Sequence, residues 1–357
     1  MSLIDVIREL VEDKGLDKDV LSDIICEGML AAYQRKYPDL QLQAKYDKKT
    51  GEINVFVFKK VVASIQEIED ELSQISLKKA RFVDKNVEAG DSIWLPFEGE
   101  IGRIEILRAR QVIANSIRQI EAEIIYKQFK PREGHIIVGI IHKCERNGMV
   151  IKLDEHLAFL PQSLTIPGDK CIVGFSIRAL LKEVLPEPKN DSQLILDRTS
   201  EQFLRQLFEL EIPELFDKLI EIKKIVRIPG YKAKIIVSSN DLNIDPVGTC
   251  VGVGGSRIKP ILKEIGGERI DIIGWTENQE LLIKNALKPA EINRVEIMDD
   301  TIAHVWVDED QRSLAIGKMG QNISLASQLV GIDIKLVPSN PVAMDQEDMH
   351  INTVVDQ

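Results

Sequence analysis

Apolar and polar positions along this chain change period several times, and the changes mark its elements. At 231–238 the period is two: Ala233, Ile235 and Val237 face one way, Lys232, Lys234 and Ile236 the other, which predicts a strand. Asp245-Pro246 then opens a helix, with Asp as cap and Pro at the first helical position. That helix stops at Gly252-Val253-Gly254-Gly255. A second helix, with Ser256 as its expected cap, carries Ile258, Ile261, Leu262 and Ile265 as an apolar stripe. Gly266-Gly267 ends it, and 268–275 returns to a strand. The succession then repeats: a strand at 302–307, a helix capped by Asp308 and ending at Ile316, the loop Gly317-Lys318-Met319-Gly320, a helix with Ile323, Ala326, Leu329 and Val330, Gly331, and a strand at 332–337. The offset is 65 residues at 252/317, 255/320 and 266/331. A helix and a strand precede each copy, at 200–210 and 219–227, then at 277–287 and 293–298. The order is αββααβ twice, the mark of a duplicated unit.

Upstream, short alternating runs at 135–142, 149–153, 157–160, 170–180 and 193–197 are separated by turn residues such as Arg146-Asn147-Gly148 and Pro167-Gly168-Asp169. Five strands in so short a span predict an OB-fold barrel, with 183–193 a Pro-rich polar hairpin tip that reads as a loop without chemistry. Before it, helices are expected at 2–13 and 17–37, broken by Gly15, with Val20, Leu21, Ile24, Ile25 and Leu30 turned inward. A hairpin at 41–46 and 52–58 turns at Lys48-Lys49-Thr50-Gly51, and strands follow at 61–65 and 92–95. A long helix at 103–129, with Leu107, Ile113, Ile117, Ile120 and Ile124 on one side, serves as a stiff connector. The expected architecture is multidomain α+β: an N-terminal α/β domain at 1–130 including the connector helix, a five-stranded OB-fold barrel at 131–200, two repeated domains at 201–276 and 277–340, and an acidic flexible tail at 341–357.

Composition narrows the chemistry. No apolar run in the 357 residues reaches transmembrane length, and Met1–Leu10 lacks the basic and apolar stretches of a leader, so a cytoplasmic protein without a membrane partner is expected. Cys26, Cys144, Cys171 and Cys250 are scattered with no CxxC pair; buried thiols are expected, with neither a zinc site nor a disulfide. The five histidines are unclustered, and Asp154-Glu155-His156 alternates across a strand, so no catalytic residue, metal or cofactor is expected. The net charge of −11 disfavours a broad nucleic-acid surface. Its distribution is uneven, however: 276–357 carries six basic against fourteen acidic residues, while 231–275 carries six against five.

The loops carry the candidate chemistry. Glycine has no Cβ, so bulky phosphates can approach the main chain, and the following helix turns free N–H groups toward them. No GxxxxGK[ST] fits over Gly317-Lys318, and each loop joins two helices instead of following a strand, which excludes a P-loop and a dinucleotide fingerprint. The strand–helix–GxxG–helix–strand frame resembles the bacterial-type KH module, whose loop clamps single-stranded nucleic acid. Candidate RNA-binding residues are Gly252, Val253, Gly254, Gly255, Ser256, Arg257 and Lys259 in the first copy, and Gly317, Lys318, Met319, Gly320, Gln321, Asn322 and Ser324 in the second. Gly134, Gly139, Gly148, Leu160-Pro161 and Leu196-Asp197-Arg198 make the barrel similar to the S-one RNA-binding motif. His142, Phe159, Phe175 and Arg198 are its candidates for RNA contact, the two phenylalanines reading first as core and second as stacking platform.

The whole order resembles the NusA family of transcription termination/antitermination factors, in a short form without the acidic C-terminal repeats of some relatives. The resemblance is carried by 245–252, 266–272 and Ser313-Leu314-Ala315-Ile316-Gly317-Lys318-Met319-Gly320-Gln321-Asn322, with support from Ala109-Arg110-Gln111-Val112 and 203–214. It implies an N-terminal domain that binds RNA polymerase, and barrel and KH domains that contact nascent single-stranded RNA. It also implies modulation of pausing, termination and antitermination, with other Nus factors and ribosomal proteins as partners. Two departures weaken parts of this expectation: the first loop has Val253-Gly254 where relatives carry a basic residue, and Asp197 stands where the barrel's last strand usually has Ser. The competing readings are an RNA-binding subunit of the ribosome or translation apparatus, separable by co-sedimentation with ribosomal subunits, and one of RNA-processing machinery, separable by a nuclease assay with Mg²⁺. From sequence alone, Gly317→Asp and Lys318→Glu are both expected to weaken RNA binding in a filter-binding assay without unfolding the domain.

Overall fold

A computed structural model describes residues 18–47, 52–189, 192–241, 243–299 and 301–338. The expected helix at 2–13, the turn at Lys48–Gly51 and the tail at 341–357 lie outside the described residues. The chain divides into two units, Met1–Ile125 and Tyr126–Gln357.

In the N-terminal unit, α1 (Lys18–Lys36) packs Ile24 and Ile25 against Ile113 and Ile117 of α3 (Arg103–Phe129). The two helices cross so closely that a Cβ on Gly28 would overlap the Ile113 side chain. A four-stranded sheet covers a second core of Leu42, Val55, Val57 and Leu95. Its central strand β2 (Ile53–Val62) pairs antiparallel with β1 (Leu42–Tyr46) and β4 (Ser92–Pro96), and parallel with β3 (Gln74–Ser76). The strand expected at 61–65 is the end of β2, after which the chain turns at Ile65–Glu67. The stretch between holds β3 and a short helix, α2 (Leu77–Val83), that periodicity did not reveal. Leu107 is 62% exposed, because six residues from Ile113 carry it about a third of a turn away from that face.

In the second unit, β5 (Ile136–Glu145), β6 (Gly148–Leu153), β7 (His156–Pro161), β8 (Ser176–Lys189) and β9 (Ser192–Asp197) close a barrel in the order β5-β6-β7-β9-β8. Two expectations are corrected here. The hairpin expected at 183–193 is present, but most of it is strand instead of loop, because β8 continues to Lys189 and Gln193 Nε2 donates to Leu185 O at 3.0 Å across a bulged pairing. Cys144 and Cys171 are not separate buried thiols; they form a disulfide with Cα atoms 6.0 Å apart. Barrel closure explains it: Gly174 N donates to Ile141 O and Ile141 N to Phe175 O, which lays the 170–175 segment along the end of β5.

Two modules of one topology follow. The first has α4 (Glu201–Glu211), α5 (Pro213–Phe216), β10 (Ile220–Ile228), β11 (Lys232–Ser239), α6 (Pro246–Val251), α7 (Ile258–Glu264) and β12 (Arg269–Gly274). The second has α8 (Gln279–Ala286), β13 (Arg294–Asp299), β14 (Ile302–Val307), α9 (Glu309–Ile316), α10 (Gln321–Val330) and β15 (Asp333–Pro338). In each, the middle strand pairs antiparallel with the strand before it and parallel with the last. One face of the first sheet packs Ala233, Ile235 and Val237 against Phe203, Leu207 and Phe208 of α4 and against Ile261 of α7. The opposite face packs Val226, Ile236 and Ile273 against Leu325, Ala326 and Leu329 of α10. A sheet buried on both sides accounts for Ile236 in the otherwise polar register of β11.

Arg198 joins barrel to first module. It was a candidate for RNA contact, yet its side chain is only 3% exposed. Its Nε donates to Asp169 Oδ2 at 2.8 Å, Nη2 to Asp169 Oδ1 at 3.2 Å, and Nη1 to Glu264 Oε1 at 2.7 Å. Burial opposes its charge, but the two carboxylates hold its pKa above the usual value. The neighbouring Asp197 does not face solvent either: its Oδ1 accepts from Thr199 N, Thr199 Oγ1 and Ser200 N, shaping the turn into α4. Removing one partner of a buried pair leaves charge uncompensated, so Arg198→Ala is expected to lower unfolding free energy by about 3 kcal/mol, read by urea titration.

Candidate nucleic-acid interface

Each loop is set by glycines that no other residue replaces without strain. Gly252 lies at φ 73°, ψ 164° and Gly317 at φ 72°, ψ 177°. The third positions match as well: Gly254 at φ 61°, ψ 20° and Met319 at φ 55°, ψ 28°. The fourth glycines, 255 and 320, have φ 78° and 74°. The same hydrogen bonds recur, from Gly252 N to Gly248 O and Gly255 N to Gly252 O, and from Gly317 N to Ser313 O and Gly320 N to Gly317 O. The two turns therefore share one backbone conformation, although the inner residues differ. At both apices the side chains stand in solvent, with Val253 96% and Met319 87% exposed. Among the described residues the amides of Val253, Gly254, Lys318 and Met319 make no hydrogen bond, so these donors are available to an incoming anion.

The remaining candidates sort into two groups. Lys259, Lys318, Ser256 and Ser324 are exposed, and among the described residues Lys318 has no ion pair. Ser256 does not cap the second helix as expected: α7 starts after Arg257, and Ser256 itself has right-handed helical backbone angles. Gln321 is half-buried, with its Oε1 unbonded. Arg257 and Asn322 hold the frame. Arg257 forks onto Glu214 with both contacts at 2.9 Å, and donates to Thr249 O at the end of α6. Burial works against the Glu214 carboxylate, yet its own backbone and Arg257 hold its pKa below the usual range. Asn322 is 4% exposed; its Nδ2 donates to Leu287 O, Leu314 O and Ala315 O beneath the second loop. Asp308 precedes α9 as expected, but its carboxylate accepts from Asn293 Nδ2 at 2.9 Å instead of capping the helix.

Sequence reasoning missed the cleft beside the first loop. About 920 Å³ in volume, it runs between Val247 on α6, the open edge of β12 and the residues after α8. Lys232, Arg269, Lys284 and Lys288 line it together with Asp271. Only the fold brings these basic residues together, since they come from three separate segments, β11, β12 and the C-terminal end of α8. Behind Asp271, Lys234 is fully buried with Nζ 2.7 Å from Oδ2; burial lowers its pKa and Asp271 opposes that. In the barrel, Phe175 is 61% exposed, while Phe159 is half-buried and His142 exposed.

The NusA N-terminal domain family matches residues 2–123, the NusA-like first KH domain family 198–275, and the NusA-like second KH domain family 279–343. A transcription termination/antitermination protein NusA of Rickettsia conorii is 36% identical over 344 residues, covering 94% of this chain and 67% of its own. The protein of that name from Halalkalibacterium halodurans is 34% identical, over 93% of this chain and 87% of its own. That of Bacillus subtilis is 33% identical, over 93% and 90%.

The loop geometry separates two substitutions that sequence alone grouped together. A Cβ at Gly317 would lie 2.6 Å from Asn322 Cβ with φ at +72°. Gly317→Asp is therefore expected to destabilise the second module by at least about 1–2 kcal/mol, whereas Lys318→Glu leaves its thermal midpoint unchanged. Below the first loop, burial pushes the Cys250 thiol up to about 12. It stays protonated as the pH rises past the range in which an unfolded thiol ionises, so iodoacetamide at pH 9 is expected to leave Cys250 unmodified until denaturant is added.

Proposed function

The chain belongs to the NusA family of transcription termination/antitermination proteins, and from that footing we propose that it is a non-enzymatic elongation factor that holds nascent single-stranded RNA beside RNA polymerase. The observation that carries the RNA half is the repetition of one glycine-set turn at two places, 65 residues apart, with matching backbone angles and exposed apices. In the second copy the conformation is kept even with Met319 at φ 55°, where a side chain is costly. Each turn meets phosphate oxygens with main-chain amides, and Lys318 and Lys259 add charge at the rim. Bases then lie in the cleft against β12, whose outer edge has unpaired main-chain groups. Contact through so few cations suits a chain of net charge −11, because it needs no broad positive field.

The N-terminal unit supplies the polymerase contact. Phe82, 86% exposed at the end of α2, stands beside Val83 at 63%, and such apolar exposure marks a protein-binding surface. Holding polymerase and transcript together alters pausing, termination and antitermination. Other Nus factors and ribosomal proteins join on the same platform, in the cytoplasm.

Full-length protein with Lys318→Glu is expected to bind single-stranded RNA about tenfold more weakly in fluorescence anisotropy, as loss and reversal of a charge-assisted phosphate contact require, while still retaining core polymerase in an RNase-treated pull-down. Phe82→Glu is expected to do the reverse. If neither the parent nor the variants retain polymerase, the transcription reading fails.

A further inference from the structure

The two loops belong to one compact unit, and the Lys232 side chain bridges their frames. Lys232 begins β11, the central strand of the first module, and its side chain is 12% exposed at the cleft. Its Nζ donates to Asp271 Oδ2 at 2.7 Å on β12, within the first module. The same Nζ donates to Asn322 Oδ1 at 3.0 Å on α10, within the second. Asn322 is the residue on which the second loop rests: its amide holds Leu314 O and Ala315 O in the last turn of α9, and its Cβ fills the space that glycine leaves open at 317. An unbroken path therefore runs from the cleft wall of the first module to the floor of the second loop.

We propose that Lys232 is a positioning residue that fixes the spacing between the two loops, so that a single RNA strand long enough to reach both is gripped by both at once. The inference rests on the reading of the loops as RNA clamps. Apolar packing of Ile236, Val226 and Ile273 against α10 brings the modules together, but such packing is non-directional and tolerates small slides. A hydrogen bond from a largely enclosed ammonium to a buried amide oxygen is directional and specifies register. Asp271 pairs with the ammonium at the junction, and Lys234 shares that carboxylate, so replacing Lys232 leaves Asp271 with a partner and the first module with its core. The benefit of fixed spacing belongs only to long ligands. A strand held at one loop presents its next nucleotides to the other at high effective concentration only when the span matches.

The test compares wild type, Lys232→Met and Lys232→Arg, all full length, with two oligoribonucleotides. One has four nucleotides, the length a single such loop clamps; the other has about twelve. Lys232→Met is expected to weaken binding of the long strand about tenfold more than it weakens binding of the tetranucleotide, with Lys232→Arg recovering most of that difference. Equal losses on both strands would make Lys232 a direct RNA contact or a fold support and overturn the proposal, as would no loss on either. Failure of the wild type to bind either strand would overturn the clamp reading itself, and this inference with it.

Discussion

A guanidinium can donate five hydrogen bonds in one plane, and the second unit of this protein is organised around one that is almost wholly buried. Arg198 directs its donors to Asp169 in the barrel, to Glu264 at the end of α7, and to the carbonyls of Arg178 and Glu264. Arg227 repeats the device one layer further in: it forks onto Glu268 and donates to Arg198 O and Ser200 O. The ring of Phe203 lies 5.3 and 5.9 Å from the two guanidinium carbons, so the charges are stacked as well as paired. Burying them is costly unless every partner is in place. The barrel and the first module are thus held in one arrangement, and the sheet that carries the first loop is anchored at its base.

From that anchor the architecture builds outward in a single direction. The first sheet is covered on one face by its own helices and on the other by α10 of the second module. Neither loop helps to hold this stack together, which leaves both free to meet a ligand. Arg257 and Asn322 connect the loops to the stack from below. Residues adjacent to a binding site in sequence thereby serve as its foundation and not its surface.

Much of this was legible in the sequence, for physical reasons. The 65-residue repeat, the alternation of Ala233, Ile235 and Val237, and the glycines at 252, 255, 317 and 320 report local backbone needs, and local needs leave local signatures. The roles of Arg198, Arg257 and Asn322 did not show, because a charged or amide side chain in a loop motif looks the same whether it faces a phosphate or a buried carbonyl. The cleft did not show because Lys232, Arg269, Lys284 and Lys288 meet only after two modules have packed. The Cys144–Cys171 bond stayed hidden since 27 residues of separation mean nothing until the barrel brings the 170–175 segment onto β5. β3 and α2 were lost for a different reason: elements of three and seven residues are too short to establish a period.

One of the two differences between the turns has its own consequence. At the third position the first loop has glycine where the second has methionine, with φ 61° and 55°. Methionine has fewer backbone conformations open to it than glycine, so the second turn has less freedom to lose when a ligand arrives. The first, with glycines at 252, 254 and 255, has more conformations to give up on binding. Equal contacts would then divide heat from disorder differently: capture at the second turn carries the smaller entropic penalty, capture at the first the larger. Under the proposed reading of the loops, the order in which a transcript engages the two need not follow their order in the chain.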